Sequence, residues 1–276
     1  MRPVLRMVQH GTRLAQRGYS MIELMVAMTI ALFLMGGLVT LVMHSRTTSA
    51  AQQQLAQLQD NQRIAMTMLT NVIQEAGYFP DPTVNGQSIF LGETDGNVAF
   101  SAEQVVSGHS GGGAPGDAIG IRFASPIADA YNILPNNVIT CAGTSSTDTA
   151  NTHVFTNIFQ IATVGNTTYL QCQLYKDGTA VGTPVNLVPG LYDMQVAYGI
   201  SGSASNNVVS YVPATQLVAD TALWGNVTSV KIRLYFQLPQ YGFTGGQVNS
   251  SATSAALSKQ IQYVERVIPI MSRSGG

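Results

Sequence analysis

The chain has 276 residues, 45% of them hydrophobic and only 10% charged, with a net charge of −1. So neutral a chain makes no electrostatic case for a nucleic-acid partner, and its length is ample for one sizeable core. Its two cysteines and four histidines are too few for a disulfide-rich scaffold or a metal-rich protein.

The first 18 residues hold Arg2, Arg6, Arg13 and Arg17 and no acid. From Leu24 to Met43 there is then an unbroken uncharged run rich in Leu, Val, Met, Ile and Ala. About twenty such residues in a helix cross about 30 Å of hydrocarbon. A secretory signal has a shorter apolar core, about 7–15 residues, closed by a small-residue cleavage site. No such site comes after this run, and Ser45 to Asn61 reads as polar helix. The expectation is a retained membrane helix. With Arg46 as the only basic residue of the short distal flank, positive charge places the N-terminus in the cytoplasm and everything beyond about residue 44 across the membrane.

Glu23 interrupts this segment near its start. A carboxylate at the bilayer centre costs roughly 2.5–3.5 kcal/mol, less near an end. Two readings account for it. Ser20-Met21-Ile22-Glu23 fits a capping box, with Ser20 as cap and Glu23 bonding back to its amide. Alternatively the chain is cut between Gly18 and Tyr19, so that a new ammonium four residues upstream can pair with the carboxylate.

Beyond the span, Ala51, Leu55, Leu58, Ala65, Leu69, Val72 and Ala76 recur at three- and four-residue steps, with Gln62 interrupting. This is one apolar stripe on a polar helix. Gly77 stands at its C-terminal end and Pro80 forbids continuation. Only Gly36-Gly37 intervenes between Ser20 and Ala76, so one continuous helix of about 57 residues and about 85 Å is expected. The two glycines are either a weak point or a place of close helix packing.

The remainder reads as strands at 118–124, 153–164, 167–175, 191–200, 208–212, 228–238 and 260–271, rich in β-branched and aromatic residues between turn signals. Gly165-Asn166 is a tight hairpin signal, and 199–207 reads as a longer hairpin loop. The stretch 107–117, "SGHSGGGAPGD", reads as flexible and lacks the Lys-Ser/Thr of a phosphate loop. The fold class expected is α+β: a long N-terminal helix, membrane-spanning in its first half, packed against a mostly antiparallel sheet domain. Cys141 and Cys172 both lie beyond the span, where thiols oxidise, and point to one disulfide; two free buried thiols are the alternative.

No catalytic or metal constellation emerges. His10, His44, His109 and His153 lack zinc-ligand spacing, and no Gly-x-Ser-x-Gly elbow occurs. Asp117, Asp129, Asp148 and Asp193 are scattered without a reason to pair any two. The expectation is a non-enzyme with no cofactor and no metal. A membrane-anchored ligand-binding or enzymatic domain is the remote alternative.

"RGYSMIELMVAMTIALFLM" resembles the class III signal of type IV pilins and pseudopilins. The resemblance implies cleavage after Gly18 by a prepilin peptidase, N-methylation of Tyr19 by the same enzyme, and an assembly role for Glu23, whose carboxylate meets the terminal amine of a neighbouring subunit. Tyr19 departs from the usual Phe or Met, and Met21 from the usual Leu; both substitutes are bulky and largely apolar. Downstream, "LQDNQRIAMTMLTNVIQEAGYFPDP" resembles minor pilins of the PilW type in Asn61, Arg63, Ala65 and Ala76-Gly77-Tyr78. "LVPGLYDMQVAYGI" (187–200) and "VTSVKIRLYFQLP" (227–239) add to it.

That resemblance implies a leader at 1–18, a transmembrane assembly helix at 19–44, an amphipathic continuation at 45–79 and a β-rich extracytoplasmic domain at 80–276. It implies a subunit of the bacterial inner membrane that joins other minor pilins and the major pilin in a tip complex priming pilus assembly, with a large tip adhesin as a further partner, in the service of adhesion and twitching motility. A GspJ-like minor pseudopilin of type II secretion is the near alternative.

Overall fold

The computed structural model describes residues 20–79, 89–111, 116–124, 140–141, 153–202, 205–238 and 261–271. The chain divides into two compact units, one up to Gln52 and one from Gln53 onward. A single helix, α1 (Met21–Gln74), contributes to both.

In the first unit α1 is apolar on every side, and its large side chains are exposed, Phe33 at 84% and Leu32 at 72%. It is the one described helix long and apolar enough to cross a membrane. Its hydroxyls are spent internally: Thr29 donates to the Val26 carbonyl and Thr40 to that of Gly37, both at 2.8 Å. Such back-bonding leaves no orphan donor for lipid to face. The helix runs through Gly36-Gly37 without a break.

Burial of the stripe begins about two turns later than its periodicity, counted from Ala51, implies. Leu55 is 47% exposed, and burial starts at Leu58, then takes in Ala65, Met66, Leu69, Val72 and Ile73. Met66 and Ile73 widen the face beyond the single row of threes and fours. The chain turns at Gly77, whose φ of +74° only glycine adopts without strain. Its amide donates to the Arg122 carbonyl at 2.8 Å, and the Tyr78 carbonyl receives the Ala124 amide at 2.8 Å. The helix end is thereby sewn to the rim of a sheet.

Eleven strands come next among the described residues: β1 (Glu93–Asp95), β2 (Val98–Phe100), β3 (Val106–His109), β4 (Ala118–Ala124), β5 (Val154–Val164), β6 (Thr167–Lys176), β7 (Thr179–Pro189), β8 (Leu191–Gly202), β9 (Ser205–Pro213), β10 (Val227–Gln237) and β11 (Ile261–Pro269). They form a β1–β2 hairpin, a five-stranded meander β3-β4-β5-β6-β7 and a four-stranded sheet β11-β10-β8-β9. All pairings are antiparallel. Between β9 and β10 the chain passes through α2 (Ala214–Ala219) and a 3₁₀ turn (Thr221–Asn226). This segment brings Trp224 edge-on to the buried Tyr198, centroids 4.8 Å apart.

Strict alternation in β10 buries Val230, Ile232, Leu234 and Phe236 and turns Lys231, Arg233 and Tyr235 outward. The buried residues of α1 from Leu58 onward join those of both larger sheets in one core. The two sheets are also tied by backbone bonds at Asp117. Its amide donates to the Met194 carbonyl (2.8 Å), and its carboxylate accepts from the Val196 amide (2.9 Å). Gly116 makes this approach possible, since a Cβ there would stand 2.5 Å from the Met194 oxygen.

Three expectations change. Ser107–His109, read as flexible, belong largely to β3. The 199–207 loop is mostly strand, with β8 reaching Gly202 and β9 starting at Ser205. β1, β2 and β7 have no counterpart among the expected strands. β7 contains Gly182 and Pro184, which read as breakers but are tolerated because β7 is an edge strand with irregular register against β6.

Candidate functional site

Gly18 and Tyr19 lie outside the described residues. Glu23 sits in the first turn of α1, exposed. The Ser20 carbonyl takes the Leu24 amide at 3.2 Å, so the helix starts there. The reciprocal side-chain bonds of a capping box are absent among the described contacts, and Glu23 has no ion pair among them. Among the described residues the charge therefore stands alone on an apolar helix. A shallow notch lined by Leu32, Phe33, Gly36, Gly37 and Thr40 lies about two and a half to five turns further on. A Cβ on either glycine would meet nothing within 4 Å, so the glycines serve no packing among the described residues.

In the globular unit Cys141 and Cys172 form a disulfide with Cα atoms 6.2 Å apart. Both are nearly inaccessible, at 6% and 1%. The Cys141 amide also donates to Asn157 Oδ1 at 3.1 Å, fixing this point of the chain against β5. Both cysteines should resist maleimide in the denatured protein until it is reduced. Reduction should lower stability by about 3–4 kcal/mol, the entropy of a loop of this size, readable as a drop in urea midpoint. Labelling without reductant would rule the bridge out.

Several polar residues of this unit are occupied structurally. His153 Nδ1 lies 2.6 Å from Asp177, and His44 and His109 stand apart on α1 and at the end of β3. Asp117 and Asp193, scattered in sequence, come close enough for each charge to be felt. Burial raises the Asp193 carboxyl above its ordinary range; the Met194 amide and Gln195 oppose this, and the Asp117 charge adds to it. Asp117 is nevertheless committed to the Gly111 and Val196 amides. Burial also pushes Glu75, at the end of α1, up to about 7. His10, Asp129 and Asp148 lie outside the described residues.

The largest feature invisible in the sequence is the buried guanidinium of Arg122 on β4. It pairs with Glu93 at 2.6 Å, donates to the Leu91 carbonyl at 2.8 Å, and lies over the rings of Phe90 and Phe100. Among the described residues no three His, Cys, Asp or Glu side chains converge as a metal centre. Nor does any nucleophile among them stand paired with a base.

Comparison with known proteins accords with this arrangement. Residues 13–39 match the family model of the prokaryotic N-terminal methylation motif. Residues 158–265, from β5 into β11, match that of the type IV pilus-assembly protein W. No curated protein matches the chain at a significant level. Among solved structures, a type IV-like pilin from Thermus thermophilus is similar over 77% of this chain and 96% of its own, with 14% identity and a TM-score of 0.37, a distant likeness. The chain is thus a type IV pilin-like protein with an N-terminal methylation motif that runs into α1 and a PilW domain on the sheets downstream.

Proposed function

We propose that the chain is a minor pilin of a type IV pilus. It is inserted in the bacterial inner membrane with its N-terminus cytoplasmic, cut after Gly18 by a prepilin peptidase and methylated at Tyr19. Its β domain is periplasmic. It then joins other minor pilins, beside the major pilin and a large tip adhesin, in the complex that primes the filament and comes to rest at its tip. In this reading 1–18 is leader, 19–44 the assembly helix, 45–79 its amphipathic continuation and 80–276 the globular domain. A minor pseudopilin of type II secretion shares the same processing and is the second reading.

The observation that carries it is the methylation motif at 13–39, which runs into a helix whose apolar surface is exposed all round and in which Glu23 has no ion pair among the described residues. Such a helix needs lipid or other helices around it. Intact mass and N-terminal analysis of the membrane-extracted protein test the proposal. A start at Tyr19 carrying one methyl group is expected; a start at Met1, or near residue 45, overturns it.

Glu23 then serves docking. Glu23→Ala removes a costly charge from the membrane segment, so insertion and cleavage should be unchanged. Co-purification with partner pilins should fall, by about 1–3 kcal/mol of association if the pair is shielded from water. Glu23→Gln should be impaired less. Undiminished co-purification of the alanine variant would remove the docking role.

A further inference from the structure

We propose that the β1 strand carries a site for a hard divalent cation, calcium above all, between the carboxylates of Glu93 and Asp95 and the Asp177–Gly178 turn that joins β6 to β7. The proposal is independent of the pilus reading.

Asp95 is the starting point. It is 0% exposed, and neither carboxylate oxygen has a hydrogen-bond partner among the described residues. A buried carboxylate is ordinarily paired, hydrogen-bonded or bound to a metal. Glu93, two residues earlier on the same face of the strand, is divided between two tasks. Its Oε1 takes the Arg122 guanidinium at 2.6 Å. Its Oε2 lies toward Gly178. A Cβ built on Gly178 would stand 2.9 Å from Glu93 Oε2 and 4.0 Å from Asp95 Oδ1. Gly178 has no Cβ, so a space faced by two carboxylates is left open. The turn adopts φ values of +47° at Asp177 and +75° at Gly178. Asp177 brings a third carboxylate to the neighbourhood, with one oxygen on the Val154 amide (2.9 Å) and the other 2.6 Å from His153.

The charges do not balance. Arg122 is the contact cation of Glu93, and His153, when protonated, is that of Asp177. Asp95 has neither at contact distance. One further positive charge between Glu93 and Asp95 would compensate the excess.

The donor set selects the ion. The polar atoms nearest the space are carboxylate oxygens of Glu93 and Asp95, hard ligands that suit calcium better than zinc or another soft metal. Calcium accepts two carboxylates with carbonyls and water completing an irregular shell, and extracellular sites of this kind bind at about 10⁻⁴–10⁻³ M. The bound ion would fasten the β1–β2 hairpin to the β6–β7 turn.

The test uses the purified full chain in detergent, stripped with chelator and melted in calcium, magnesium or sodium chloride at matched ionic strength. Calcium should raise the midpoint, the unfolded fraction falling about tenfold at a concentration about ten times Kd. Asp95→Asn should melt higher than wild type in chelator, because an unpaired buried charge is gone, and should not respond to calcium. Should that variant fail to fold, terbium luminescence serves instead. The Tyr175 hydroxyl lies beside Gly96, 2.8 Å from where a Cβ would stand, and should sensitise bound terbium, with calcium competing the signal away and Tyr175→Phe abolishing it. A wild-type midpoint that calcium moves no more than sodium does, a calcium response retained by Asp95→Asn, or terbium emission indifferent to Tyr175 overturns the proposal.

Discussion

Arg122→Met is expected to destabilise the globular unit by about 3–5 kcal/mol, the usual consequence of breaking a buried ion pair from one side. The guanidinium is 1% exposed, so little of its cost is relieved by water. Its neighbours hold it instead. Glu93 takes Nη2, the Leu91 carbonyl takes Nη1, and Phe90 and Phe100 offer ring faces at 5.5 and 5.0 Å from the guanidinium carbon. Burial lowers the Arg122 pKa, and Glu93 and Asp95 raise it again, so the group stays charged. Methionine would fill the volume and keep the contact with the rings. It would leave the Glu93 carboxylate and the Leu91 carbonyl without their contact cation, and the wholly buried Asp95 without the longer-range attraction of that charge. The loss is therefore electrostatic and not a matter of packing. Arg122→Met with Glu93→Gln and Asp95→Asn should recover a large part of it, because removing all the charges together is far milder than stranding some. Urea unfolding of the three proteins checks this, read as midpoints at constant slope. If Arg122→Met unfolds within about 1 kcal/mol of wild type, inside the range of an ordinary surface pair, the cluster is not what fastens the β1–β2 hairpin to β4.

This cluster also marks the limit of what the sequence discloses. Arg122 and Glu93 are separated by 29 positions, and neither has a neighbour in sequence that advertises the other. Only the packing of the hairpin over β4 brings them together. Local chemistry, by contrast, reads directly. Ala118–Ala124 and Thr167–Lys176 announce themselves by β-branched and aromatic residues between turn residues, and Gly165 takes the φ of +61° that a tight hairpin demands. Gly77 ends α1 because no other residue accepts its conformation as cheaply. The disulfide is legible from an even cysteine count beyond a membrane span, since only one pairing exists. β7 is illegible because Gly182 and Pro184 disqualify a central strand, and edge position cannot be known before the sheet is assembled. Leu55 misleads for a related reason: periodicity shows which face of a helix is apolar, not where along its length the cover begins. The apolar run of the N-terminal segment is legible for the opposite reason: its pattern lies along one helix and needs no tertiary partner within the chain.

Gly18→Val is expected to abolish processing and, with it, assembly. For a peptidase to cut after residue 18 it must bring that backbone carbonyl against its catalytic groups. Glycine allows close approach and any φ; valine presents a branched Cβ and a stiff χ1 at the point of contact. The uncut chain keeps Arg2, Arg6, Arg13 and Arg17. In the proposed topology those four guanidiniums hold the N-terminus on the cytoplasmic side, so insertion should be normal. The same charges oppose entry into a filament. Joining one would move the start of α1 into a bundle of apolar helices, and each arginine carried into such surroundings costs roughly 2.5–3.5 kcal/mol even on the mildest scale. Nor does the uncut chain have an ammonium at Tyr19 to meet Glu23. Both terms disfavour the assembled state and leave the membrane-inserted monomer untouched. Gly18→Ala, with a single small Cβ, should be cut slowly and should assemble in proportion to the amount cut. Mobility on a denaturing gel and intact mass report the cut. Co-purification with partner pilins reports assembly, and extraction only by detergent reports insertion. A valine variant that loses its leader at the wild-type rate would show that Gly18 is not the cleavage residue. One that stays uncut yet co-purifies normally would show that the leader does not oppose assembly and that Glu23 needs no amine at Tyr19.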